Sequence, residues 1–163
     1  MKIAKRHILI SSLLFLSACN NRQDFAYNEK VSSEFLSAMN VIDDYQKDIT
    51  QGNYKNLNEQ IIASRVNTIE NIIKGMDENI NDSKEIEHSK NADEFAEGLA
   101  DYYTKQKAYY QLVKNYITQT DSTEQNKIQN QINEAYDSLN TIPDKLLEVQ
   151  KEFLKKSGIK IAQ

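Results

Sequence analysis

Apolar residues in this chain recur in alternating steps of three and four, and that spacing limits what it can fold into. In a first segment Val31, Phe35, Ala38, Ile42, Tyr45 and Ile49 keep it. In a second, Ile62, Val66, Ile69, Ile73, Met76 and Ile80 do the same. A third runs through Phe95, Leu99, Tyr102, Gln106, Tyr109, Val113 and Tyr116, with Gln106 as its polar member. The fourth holds for eight positions: Ile128, Ile132, Ala135, Leu139, Ile142, Leu146, Val149 and Phe153. Such steps return to one face of a helix, whereas a strand alternates every second residue. The chain also has 4 Gly and 1 Pro in 163 residues. Sandwiches and barrels need more turn formers than that, so an all-α fold is predicted.

The breaks between segments agree. Thr50-Gln51-Gly52-Asn53 reads as a tight turn, and Asn81 to Asn91 as a longer polar connector. Asp121 with Glu124, or Ser122 with Gln125, has the spacing of a capping box that would start the fourth helix. Lys155 and Lys156 followed by Gly158 suit a helix C-terminus. Pro143 interrupts the fourth segment, yet the apolar register runs through it without slipping. A proline inside a helix removes a donor and clashes with the preceding turn. We therefore expect one long fourth helix kinked near Pro143, or two helices in line with Thr141 capping the second. Long amphipathic helices with short links favour an antiparallel four-helix up-down bundle. The sustained register leaves open an arrangement in which some faces pair between subunits as a homo-oligomer.

The N-terminus carries a different pattern. Lys2, Lys5 and Arg6 precede an apolar run from Ile8 to Leu16, followed by Ser17-Ala18-Cys19 and the polar Asn20-Asn21-Arg22. About nine apolar residues cannot cross a hydrocarbon core of about 30 Å. A basic start, a short apolar run and small residues before a break have the anatomy of a secretory signal peptide. Leu16-Ser17-Ala18-Cys19 resembles the lipobox of bacterial lipoproteins: a branched apolar residue, two small ones, then Cys. The resemblance implies recognition by the lipoprotein signal peptidase through Leu16, Ser17 and Ala18, cleavage before Cys19, and lipid on the Cys19 thiol. It further implies that Asn20, which is not Asp, permits transport to the outer membrane, facing the periplasm; the alternative is the outer face of the cytoplasmic membrane. An ordinary signal peptide would instead leave Cys19 as an unpaired thiol in an oxidising compartment, which is disfavoured.

The organisation expected is a signal peptide over 1–18, a lipidated Cys and short tether over 19–26, a helical bundle over 27–158 and a tail over 159–163. Removing residues 1–18 takes the formal charge from −4 to −7. An acidic body is repelled by an anionic leaflet, so the lipid is expected to do the holding. The same charge argues against nucleic acid as a partner.

No pattern in the chain points to catalysis. One Cys and two His exclude a disulfide framework and a Cys/His zinc site. Glu85-Ile86-Glu87-His88 has the Glu-x-x-His spacing of di-iron bundles, which need it twice, and His88 is the one His beyond the apolar run. His88-Ser89 are adjacent, a poor geometry for nucleophile and base. No cofactor or metal is expected. Tyr102-Tyr103 and Tyr109-Tyr110 place ring pairs seven residues apart on the third helix. Core rings are the plainer reading; the functional one is a contact surface of Tyr103, Lys107 and Tyr110. The reading reached is a membrane-anchored, non-catalytic interaction module for an envelope protein: an adaptor, an immunity or exclusion factor, or an assembly component. The alternative is a small-ligand or envelope-polymer binding lipoprotein.

Overall fold

The computed structural model describes residues 21–54 and 57–160, so the apolar run, Leu16, Ser17, Ala18 and Cys19 lie outside the described residues. Five helices follow in order: α1 Asn21–Thr50, α2 Glu59–Glu85, α3 Asp93–Thr118, α4 Ser122–Asn140 and α5 Ile142–Lys156. The described residues contain no strand. The fold is all-helical, as the apolar spacing predicts.

Helix ends follow local chemistry. Asp121 accepts from the amides of Thr123 (2.8 Å) and Glu124 (3.0 Å), capping α4. Asn58 does the same for α2 through the amide of Ile61. α1 and α5 both end on a glycine with positive φ, Gly52 (71°) and Gly158 (68°). The amides of Gly52 and Asn53 bond back to Ile49 and Asp48, and those of Gly158 and Ile159 to Lys155 and Leu154. This is the Schellman arrangement, which satisfies the last carbonyls.

The fourth apolar segment is two helices separated by Thr141. Thr141 does not cap the second, contrary to the reading that it would. Its hydroxyl donates back to the Ser138 carbonyl at 2.8 Å, and no side chain caps α5. Pro143 falls in the first turn of α5. Backbone N–H groups there have no intrahelical acceptor, so the missing donor costs little.

α3 is the centre of the molecule. Its predicted stripe is buried throughout, Gln106 included. A second row, Ala96, Tyr103, Tyr110 and Ile117, is buried as well. One row meets α1: Phe35 packs edge-on to Tyr102, the Gln106 amide donates to the Ala38 carbonyl at 3.1 Å, and the Tyr109 hydroxyl donates to Gln46. Tyr110 meets Tyr45 edge-on. α2 lies along α3 through Lys107–Asp77 (2.6 Å) and Lys114–Glu70 (3.2 Å). α4 and α5 follow α3 through Gln125 on the Tyr116 carbonyl, Tyr136 against Tyr109, and Phe153 stacked on Phe95.

The segment 20–26, read as a tether, is helical from Asn21 onward. Asp24 is 1% exposed despite its charge. Its carboxylate accepts from the Ser89 amide and the Ser89 hydroxyl, both at 2.7 Å, and from the Ser157 hydroxyl. Asn91 in turn donates to Ser157. One side chain thus ties the first turn of α1 to the α2–α3 connector and the end of α5. A polar residue near the N-terminus reads as solvated until its partners, 65 and 133 positions away, are known.

Candidate binding groove

Along most of their length α1 and α2 do not close against each other. Between them runs a groove of about 420 Å³, lined by Ser33, Glu34, Ser37, Ala38 and Val41 on α1 and by Ile72, Gly75, Met76 and Asn79 on α2. Its width has a sequence cause. Ser33, Ser37 and Val41 stand four apart on one face of α1, and Gly75 lies opposite without a side chain. A methyl group built on Gly75 would meet nothing within 4 Å. Glycine inside a helix costs about 1 kcal/mol relative to alanine, and here the space it leaves stays open.

The floor is mostly apolar, with Ala38, Val41, Ile72 and Met76, and one edge is charged. Glu34 bonds to Lys30, which also reaches Asp82 at 3.2 Å. The second carboxylate oxygen of Glu34, Oε2, is buried and has no hydrogen-bond partner among the described residues. Burial raises the Glu34 carboxyl above the ordinary carboxylate range, Lys30 opposes this, and Asp82 adds to it. Behind Ala38 lies Gln106, whose Oε1 is also without a partner among the described residues. The groove therefore offers an apolar trough with Glu34, paired to Lys30, among its lining residues.

A second hollow, about 720 Å³, sits at the far end of the molecule against Tyr54, Leu57, Ile62 and the turn Thr118–Thr120. Its walls are mostly residues near the ends of α2, α3 and α4, and among the described residues they carry no unpaired buried group. Arg65 lies over the Tyr54 ring at 5.8 Å.

Of the two readings of the third helix's ring pairs, core rings agree with the structure and a contact surface does not. Tyr103 and Tyr110 are fully buried, with the Tyr110 ring edge-on to Tyr45 of α1. Burial pushes both hydroxyls above their ordinary range. Lys107 stays half-exposed, paired with Asp77. The three residues do not form one accessible patch. Among the described residues Ile61 is the one large hydrophobic side chain that stands exposed. His88 and Ser89 do not act on one another either. The Ser89 hydroxyl donates to Asp24, while the His88 ring meets the Ile86 carbonyl (2.6 Å), Asp93 (3.5 Å) and Tyr27.

No protein-family model, curated protein or solved structure matches this chain. Among the described residues no helix is long and apolar enough to cross a membrane, and no cluster of three His, Cys, Asp or Glu residues could hold a metal ion.

Sequence reasoning missed Glu34, Ser33, Ser37 and Gly75. Gly75 was the available signal: a glycine in mid-helix sits against its own propensity and asks for a reason.

Proposed function

We propose that this chain is a bacterial envelope lipoprotein, cleaved before Cys19 and lipidated there, whose helical body binds another envelope protein without catalysing a reaction. The lipobox-like Leu16-Ser17-Ala18-Cys19 supports the anchor, and Asn20 supports the periplasmic face of the outer membrane. The body is an antiparallel up-down bundle in which α4 and α5 form one bent element near Pro143. The order of contacts supports this: Asn133 meets Gln46, Tyr136 meets Asp43, and Gln150 meets Asn28 and Ser32. Residues advance along α4 and α5 as they recede along α1.

The observation that carries the binding role is the apolar α1–α2 groove, with Glu34 among its lining residues. An extended or helical segment with small apolar side chains fits the trough. The open length favours a peptide segment.

The test fills the groove from a position where bulk is tolerated. Gly75→Leu should leave the melting temperature unchanged or raised, since leucine is a better helix former. In-cell crosslinking from a photoreactive residue at Ser37 should capture one envelope protein in the parent and lose it in the variant. Undiminished capture with Leu at position 75 would sink the groove. A product whose intact mass lacks lipid on Cys19 would sink the anchor.

A further inference from the structure

We infer that the partner segment taken by the α1–α2 groove is an amphipathic α-helix that seats three side chains of one face, the middle one large and apolar. The inference rests on the groove reading above and names the chemistry of its occupant. Both walls are helices, Ser33 to Val41 on α1 and Ile72 to Asn79 on α2. Their backbone N–H and C=O groups are spent on bonds within each helix. An extended segment laid between them would turn peptide groups toward Ala38, Val41, Ile72 and Met76, which cannot pair with them. A helix arrives with its backbone already satisfied. The exposed Ser33 and Ser37 at the rim suit the polar flank of such a helix.

The other common ways of holding a peptide need groups that this groove lacks. Strand addition needs a sheet edge, and the described residues contain no strand. Proline-rich segments need aromatic rings, and among the described residues no Phe, Tyr or Trp lines the groove. Phosphorylated or acidic segments need a cluster of free cations. Among the described residues the lining has no Lys or Arg, and Lys30 at its end is held by Glu34 and Asp82. A basic segment would need free acids, and Glu34 is paired with that same Lys30. The walls thus complement a neutral, apolar face.

The length of the walls sets the number of anchors. Ser33 to Val41 spans about 12 Å of α1, or just over two helical turns. One face of a helix laid along it offers side chains at i, i+4 and i+7 in that length. Tyr27 and Lys30, early in α1, meet Ser83 and Asp82, late in α2, so the walls run antiparallel. Ser33 therefore lies toward Asn79, and Val41 toward Ile72. Gly75 stands between those ends, and a methyl group on it would meet nothing within 4 Å. The gap takes the middle anchor, a side chain of leucine or methionine size, and smaller ones flank it.

The test uses the full chain in cells, with a diazirine amino acid at Ser33 or at Val41. Mass spectrometry then reads which partner residue each site joins. On a helical partner the two joined residues should lie about eight positions apart, and on an extended one about four. Val41 is half-buried, so the pair Ser33 and Ser37 repeats the measurement, at about four positions for a helix and about two for an extended chain. Truncating the large residue between the joined positions to alanine should weaken capture about tenfold, and unchanged capture would overturn the middle anchor. The extended spacing, with capture lost in Gly75→Leu, would overturn the helix and keep the groove. Capture undiminished in Gly75→Leu, or no capture from Ser33, would overturn the groove and the helix together.

Discussion

Asp24 shows how one buried charge is kept. Burial alone raises its carboxyl, yet the hydrogen bonds from Ser157 and from the Ser89 amide and hydroxyl, with His88 nearby, outweigh that and hold it below the ordinary range. A folded-state pKa below the unfolded one, about 3.9, means that the ionised form stabilises the fold above that pH. That contribution is lost as pH falls through the folded value. Asp24→Ala strands the Ser89 amide and two hydroxyls and should cost about 3 kcal/mol at neutral pH. Asp24→Asn keeps one acceptor and should cost less. Chemical denaturation at pH 7 and pH 3 should bring parent and Asp24→Ala closer together at the lower pH; a constant gap would mean the carboxylate is not the stabilising species. The tyrosines give a second contrast. Tyr27 donates to the Ser83 carbonyl at 3.0 Å, while the Tyr103 and Tyr110 hydroxyls are buried without a partner among the described residues. Tyr27→Phe should lose about 1 kcal/mol, and Tyr103→Phe or Tyr110→Phe should be neutral or stabilising. Thermal melts of the three variants would read this directly, and a loss at Tyr103 equal to that at Tyr27 would reveal a partner for its hydroxyl.

Among the elements, two helical glycines have opposite meanings. Gly75 faces open space, whereas a methyl group on Gly98 would come within 2.6 Å of Leu146 Cδ2. Leu146 is buried, so its side chain has little room to turn away. Overpacking costs about 1–3 kcal/mol, against about 1 kcal/mol gained in helix propensity. Gly75→Ala should therefore melt above the parent and Gly98→Ala at or below it. The reverse order would mean that α5 yields to α3 more easily than the groove fills. The close approach at Gly98 sits among small residues, Ala92, Ala96 and Ala100. The caps at Asp121 and Gly158 were legible in the sequence: each is a local rule, satisfied within a few residues. Thr141 was not, because a hydroxyl between two helices can accept from an amide of the following helix or donate to a carbonyl of the preceding one, and local spacing does not choose between them.

The whole molecule is organised around α3, which touches every other helix. Amides from Leu99 to Val113 should exchange with solvent only through global unfolding, while those of α2 facing the groove should exchange sooner. Hydrogen exchange followed by mass spectrometry would check the ranking; slowest exchange in α1 or α5 would displace α3 from the centre.

The apolar spacing by itself determined the helices, their approximate limits and the buried stripe of each, because a 3.6-residue period is written in local order. The residues near Cys19 carry the expectation of an anchor in the same local way. Only the tertiary structure decided which side of α3 is covered twice, so that Tyr103 and Tyr110 became core, and which pair of helices stands apart to leave the groove. It also decided that Asp24 is a buried tie and not part of a tether. These outcomes depend on contacts between residues far apart in sequence, and a periodicity records which face is apolar without recording what packs against it.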